Sequence, residues 1–164
     1  MGYSLAFYYN KKGDGILTLS LTQRIITIFA FLVISGAFAY NVINHNSLWL
    51  NGFFLILTIL ACFYREYWCF SAKEQSITFA FGIAFWLKKT KIPIDNVDGL
   101  KLVTIKQRAT KSKKEKIIAH QLVLSAAGKD AIMDSGKEKY FVKLEGIGKK
   151  IAQILGLELE HLSF

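Results

Sequence analysis

Two stretches of the chain carry no charged side chain, Ile25 to Ile43 and Leu48 to Tyr64. An α-helix rises about 1.5 Å per residue, so crossing a hydrocarbon layer of about 30 Å takes roughly 17 to 25 apolar residues. Both runs reach that range, the second at its lower end. Backbone amides in lipid find no water, so each run is predicted to satisfy its own hydrogen bonds as a helix. The linker between them, "NHNS" at Asn44 to Ser47, is made of turn formers and is short enough that the helices must be antiparallel neighbours. The prediction is a transmembrane helix hairpin over residues 25–64.

The flanks fit that reading. Trp49 stands at the far boundary and Tyr64, Tyr67 and Trp68 at the near one, where amphipathic rings favour the headgroup layer. Ser35, Gly36 and Ala39, with Ala30 and Ala37 around them, are small enough for close helix packing, against the second helix or against another copy of the chain, although such residues are also ordinary transmembrane composition. The 164-residue chain has a formal net charge of +9 and a mean hydropathy of +0.31. Lys11, Lys12 and Arg24 precede the runs and the other cations follow them, so both ends are expected on the cytoplasmic side. "FLVISGAFA" ends in a peptidase-like Ala37-x-Ala39 pattern, but the segment before it is too long and too patterned for a signal peptide, and a retained helix is expected. Cys62 and Cys69 match no zinc spacing and read as buried small hydrophobes.

The remaining sequence reads as short strands. "YSLAFYYN" and "ILTLSLTQ" alternate on either side of "KKGDG", which predicts a β-hairpin in residues 1–24 that must pack on the domain after the membrane to be stable. In residues 65–164, Ile77, Phe79 and Phe81 alternate up to Gly82, Ile83, Phe85 and Leu87 alternate after it, and Pro93 belongs at a strand end or edge. "DGLKLVTIKQ" and "KIIAHQLVLSAA" give two more strands, and "GKDAIMDSGKEKYFVKL" a closing pair around Gly136. Ile147, Ile151, Ile154 and Leu155 then fall at helical spacing, with Gly156 as a stop. The expected fold is membrane α+β: a two-helix transmembrane hairpin plus an antiparallel split β-barrel closed by a C-terminal amphipathic helix.

"SITFAFGIAFWLKKTKIPIDNVDGLKLV" resembles the opening of bacterial pleckstrin-homology-like domains, and "GIGKKIAQILGLELE" is similar to their closing helix. The resemblance covers roughly Tyr67 to the C-terminus and rests on patterns rather than invariant signatures. It implies a pleckstrin-homology-like (PH-like) barrel behind paired membrane helices, in a bacterial cytoplasmic membrane. The layout also resembles, as analogy, the photosystem I assembly factor of plastids and cyanobacteria. The N-terminal β-hairpin departs from the common layout.

A catalytic constellation is missing from the sequence pattern. His45, His120 and His161 are not spaced as metal ligands, Asp95 and Asp98 read as a turn, and Gly146 and Gly148 in "EGIGKK" lack the spacing of a nucleotide fingerprint. No cofactor and no enzymatic activity are expected. The main polar feature is "KQRATKSKKEK", with Lys106, Arg108, Lys111, Lys113, Lys114 and Lys116 against Glu115 alone. Beside a cytoplasmic leaflet such residues can bind anionic lipid headgroups or a partner protein; they also suit a solvated loop that obeys the positive-inside rule. No aromatic residues interleave with them, which disfavours nucleic acid. The expected function is a non-enzymatic membrane-anchored adaptor, an accessory subunit or assembly factor of an integral membrane protein complex. The alternative is an anionic-lipid-binding module using the 106–116 segment.

Overall fold

The computed structural model describes residues 5–44, 49–107 and 117–163. Strands β1 (Leu5–Tyr9) and β2 (Gly15–Leu19) form an antiparallel hairpin. Its turn is held by the Asn10 side-chain oxygen, which accepts from the backbone N–H of Lys12 at 2.8 Å and of Asp14 at 2.9 Å. Gly13 takes φ +86 there, a left-handed conformation that a side chain would strain. The register aligns Leu5 with Leu19 and Phe7 with Leu17, so one face of the hairpin is apolar.

That hairpin does not stand apart from the rest of the molecule. β2 pairs with β3 (Tyr64–Ser71), Leu17 opposite Trp68, and the sheet continues through β4 (Ser76–Ile83) to β5 (Trp86–Pro93). The result is one five-stranded antiparallel sheet, β1-β2-β3-β4-β5. Trp68 and Phe70 are buried in its inner face, and Trp68 lies 4.3 Å from Phe79 between ring centroids. This corrects the placing of Trp68 in a membrane-interface belt. A strand already starts at Tyr64, and alternation turns Trp68 and Phe70 into the core. Pro93 ends edge strand β5, where its missing N–H costs no ladder bond. Gly82 does not interrupt β4. It sits inside the strand at φ +137, where a Cβ would lie 2.2 Å from the Trp86 carbonyl oxygen, and the chain reverses at Ala84 and Phe85 instead.

Between β2 and β3 the chain makes two helices, α1 (Leu21–Ile43) and α2 (Trp49–Phe63). The Ser20 hydroxyl caps α1, accepting from the Gln23 N–H at 3.4 Å. Neither helix has a buried residue. Thr27, Phe31, Ile34, Ser35 and Phe38 of α1 are half-buried, a stripe at helical spacing against α2. At 23 residues, α1 is long and apolar enough to cross a membrane; α2, at 15 residues, is shorter than that. The charge-free run predicts a helix as far as Tyr64, but β3 takes over that last residue.

The second sheet has the order β8-β7-β6-β9, from β6 (Val97–Gln107), β7 (Ile117–Ala126), β8 (Lys129–Lys137) and β9 (Leu159–Ser163). Its first three strands are antiparallel, and β9 runs parallel to β6. Leu100, Leu102, Leu122 and Leu124 form its buried face. Helix α3 (Phe141–Leu155) lays Leu144, Ile147, Ile151 and Leu155 onto that face and onto the first sheet, giving one core with Leu17, Phe70 and Ile77. Burying each such side chain is worth about 1.5–3 kcal/mol. Gly156 ends α3 at φ +67, with the αL geometry of a glycine stop.

Two expectations about this half are corrected. The segment around Gly136 is not a strand pair, because β8 ends at Lys137 and a short 3-10 turn, Glu138–Tyr140, leads straight into α3. The residues after Gly156 include a strand, which its short length and mixed polarity concealed. The fold is thus mixed helix and antiparallel sheet, and the described sheets remain open rather than closing into a barrel. At the seam between edge strands β1 and β8, side chains take the place of a ladder. Lys143 Nζ donates to the Leu5 carbonyl at 2.8 Å, and the Asp134 carboxylate accepts from the Leu5 N–H.

Candidate functional site: the crevice at the root of the helices

β2 runs into α1 through Ser20 alone, and α2 runs directly into β3. Because β2 and β3 are hydrogen-bonded neighbours, the start of α1 and the end of α2 are held side by side at one end of the first sheet. A cavity of about 580 Å³ opens there, lined by Leu19, Gln23, Thr27, Leu60, Tyr64 and Glu66 among others. A second of about 190 Å³ adjoins it and adds Arg24, Ile28, Cys62 and Arg65. Thr27, Ile28, Leu60, Ala61 and Cys62 line the walls between the helices, and Arg24, Arg65 and Glu66 line the end near the sheet.

The hydroxyls of this crevice are already engaged. Thr18 Oγ1 donates to the Glu66 carbonyl at 2.9 Å, Thr27 Oγ1 to the Gln23 carbonyl at 3.0 Å, and Tyr64 Oη to Glu66 Oε2 at 3.1 Å. The two threonines donate to backbone carbonyls, which cannot act as bases, and only the Tyr64 hydroxyl meets a carboxylate, that of Glu66. What the geometry offers is a pocket for a molecule or side chain with an apolar body and a polar end.

The titratable groups elsewhere read as structural. His120 is buried, with Nδ1 3.0 Å from Thr104 Oγ1 and its ring 4.8 Å from that of Phe141; Nε2 has no partner among the described residues. His161 packs on the other side of Phe141 at 6.4 Å. Burial, and then the carboxylates of Asp14 and Glu74, push the Cys69 thiol up, which disfavours its thiolate. Cys69 is half-buried and Cys62 is exposed on α2, so the expectation of two buried cysteines fails for Cys62. Among the described residues no three His, Cys, Asp or Glu side chains are grouped to hold a metal ion.

The residues singled out in the sequence are only partly brought together. Arg108, Lys111, Lys113, Lys114 and Lys116 lie outside the described residues, as does His45, and Lys106 is described only as a backbone position near the end of β6. Ser35 faces α2, its Oγ buried without a partner among the described residues, whereas Gly36 and Ala39 are exposed and a Cβ on Gly36 would meet nothing within 4 Å. The three therefore do not share one face against α2. Asp95 lies in a short 3-10 turn, Ile94–Asn96, but Asp98 is already in β6, and its carboxylate accepts at 2.9 Å from the N–H of Gly128 in the distant β7–β8 turn rather than closing a local turn within "IDNVDG". Gly146 and Gly148 lie inside α3, not in a loop, so they cannot cradle a phosphate as a nucleotide-binding loop does. A Cβ on Gly148 would stand 3.0 Å from Leu159 and 3.1 Å from Leu122, so this glycine lets α3 sit close on the second sheet.

The crevice itself was missed by sequence reasoning. Its signal was the placing of Gln23 and Arg24 just before one apolar run and Arg65 and Glu66 just after the other, but only the β2–β3 pairing brings the four together. No family model matches the chain, and none of the curated proteins matches it.

Proposed function

We propose that the protein is a non-enzymatic, membrane-anchored adaptor of a bacterial cytoplasmic membrane, whose α1 and α2 cross the bilayer as a pair and whose two-sheet unit works at the cytoplasmic surface. The observation that carries this is the pairing of β2 with β3 on either side of the helices. A chain that leaves and rejoins one sheet has to return to the side it left, so if α1 crosses, α2 must cross back. α1 spans about 34 Å and α2 about 22 Å at 1.5 Å per residue, and a shorter helix is accommodated by local thinning or by flanking side chains. The extensive exposed apolar surface of both helices needs lipid or other membrane helices to cover it.

Within this reading the two-sheet unit with its closing helix is taken as PH-like. β9 and the N-terminal hairpin would be additions to that plan. Beyond Arg24 in its first turn, the described residues of both helices hold no charge that could serve an ion or proton pathway, which favours binding over transport. The test is photocrosslinking in membranes from probes at Gly36 and Ala39, both exposed on α1. The expected result is an adduct with another integral membrane protein. Adducts with lipid or with a second copy alone would overturn the adaptor role.

A further inference from the structure

The β4–β5 turn carries two aromatic side chains that the fold does not bury. Phe85 is 83% exposed and Trp86 89% exposed. The turn is nonetheless closely fixed. Gly82, at φ +137, allows the Trp86 carbonyl to approach closer than any Cβ would permit, and the Ala84 N–H donates to the carbonyl of Phe63, the last residue of α2, at 2.9 Å. The Phe63 and Phe85 rings lie 5.3 Å apart. The tip is thus fastened to the point where α2 leaves the sheet. Exposed Lys88 and Lys89 follow on edge strand β5 and have no ion-pair partner among the described residues, whereas Lys91 is paired with Glu74 at 2.9 Å. With a strand rise of about 3.3 Å per residue, Lys88 lies about 7 Å behind Trp86.

We propose that the Phe85–Trp86 turn enters the headgroup layer of the leaflet from which the helices emerge, with Lys88 and Lys89 against anionic lipid phosphates, and so clamps the first sheet to the bilayer. Two observations commit the tip to lipid rather than to a protein groove. The aromatic pair is continuous with the end of α2, and the cations follow behind the tip, as phosphates outside the acyl boundary require; where α2 ends at the acyl boundary, the Trp86 indole falls in the layer it favours. The inference rests on the membrane reading of α1 and α2. It concerns a different surface from the 106–116 segment.

The experiment uses the full-length protein reconstituted in vesicles of brominated phosphatidylglycerol and phosphatidylcholine, and reads the fluorescence of Trp86 as wild type minus Trp86→Phe. Flotation of the vesicles is scored first. A chain that does not float with them overturns the membrane reading and this inference together. In chains that float, the Trp86 component should be quenched at least twofold by lipids brominated near the headgroup and little by aqueous acrylamide, and Lys88→Glu/Lys89→Glu should halve the lipid quenching in anionic vesicles. Acrylamide quenching without lipid quenching would overturn the clamp while leaving the membrane reading intact. Protection from both quenchers would overturn it in favour of a protein cover.

Discussion

Asp134 shows how one side chain holds two sheets together at an electrostatic cost. Its carboxylate takes the Leu5 N–H at the open seam, and burial pushes its pKa above the ordinary 3.8, against the pull of its backbone hydrogen bonds and of Lys143. A group whose folded pKa is raised binds its proton more tightly in the native state, so its contribution weakens stability as pH rises from 3.8 through the raised value. Asp134→Asn keeps an acceptor for Leu5 and removes that titration. Thermal unfolding between pH 4 and pH 7 should therefore lose less stability with rising pH in the variant than in the wild type, and an unchanged slope would contradict the assignment. Gly82 makes the second residue-scale prediction. At φ +137, with the Trp86 carbonyl oxygen 2.2 Å from where a methyl group would stand, Gly82→Ala should cost about 1–3 kcal/mol in strain alone, read as a lowered unfolding midpoint. Gly128→Ala, with open space around it, should cost less. Neither role was legible in the sequence. A glycine in an alternating run reads as a break, and a lone aspartate gives no sign that a strand edge lies against it.

At the scale of elements, the sequence revealed those with a long or regular pattern and hid those defined by a partner. The apolar runs, the alternation of Ile77, Phe79 and Phe81 and the helical spacing of Ile147, Ile151 and Leu155 each report one face of one element, and each was readable. β3 was concealed because its aromatic residues adjoin an apolar run and suit a membrane boundary as well as a core. β9 was concealed because a parallel edge strand on β6 has no local signature. α3 is the element on which both sheets depend. Ile151→Ala should destabilise the folded unit by about 2–5 kcal/mol, the cost of a large-to-small change at a fully buried site, read from denaturant unfolding. For α2 the expectation concerns its solvent. Leu57→Lys should impair membrane integration, at a cost of about 2.5–3.5 kcal/mol for a cation mid-helix, whereas Ile132→Lys, at an exposed strand position on the second sheet, should integrate normally. Equal integration of the two variants would mean that α2 is not in lipid.

For the whole molecule, the central fact is that the N-terminal hairpin and the C-terminal domain share one sheet, with the helices inserted between adjacent strands. That arrangement turns a question about two apolar runs into a question about topology, since β2 and β3 cannot be paired across a membrane. The candidate site follows from the same fact, because the crevice with Arg24 and Arg65 exists only where the two helix ends are brought together. Sequence reading could place its residues at the ends of the runs but could not join them. The most direct measurement is the sidedness of the chain in sealed cells, with accessibility tags at both termini and in the linker between α1 and α2. Both termini shielded and the linker labelled from outside is the result this account predicts. Termini on opposite faces, or a chain that leaves the membrane without detergent, would contradict it.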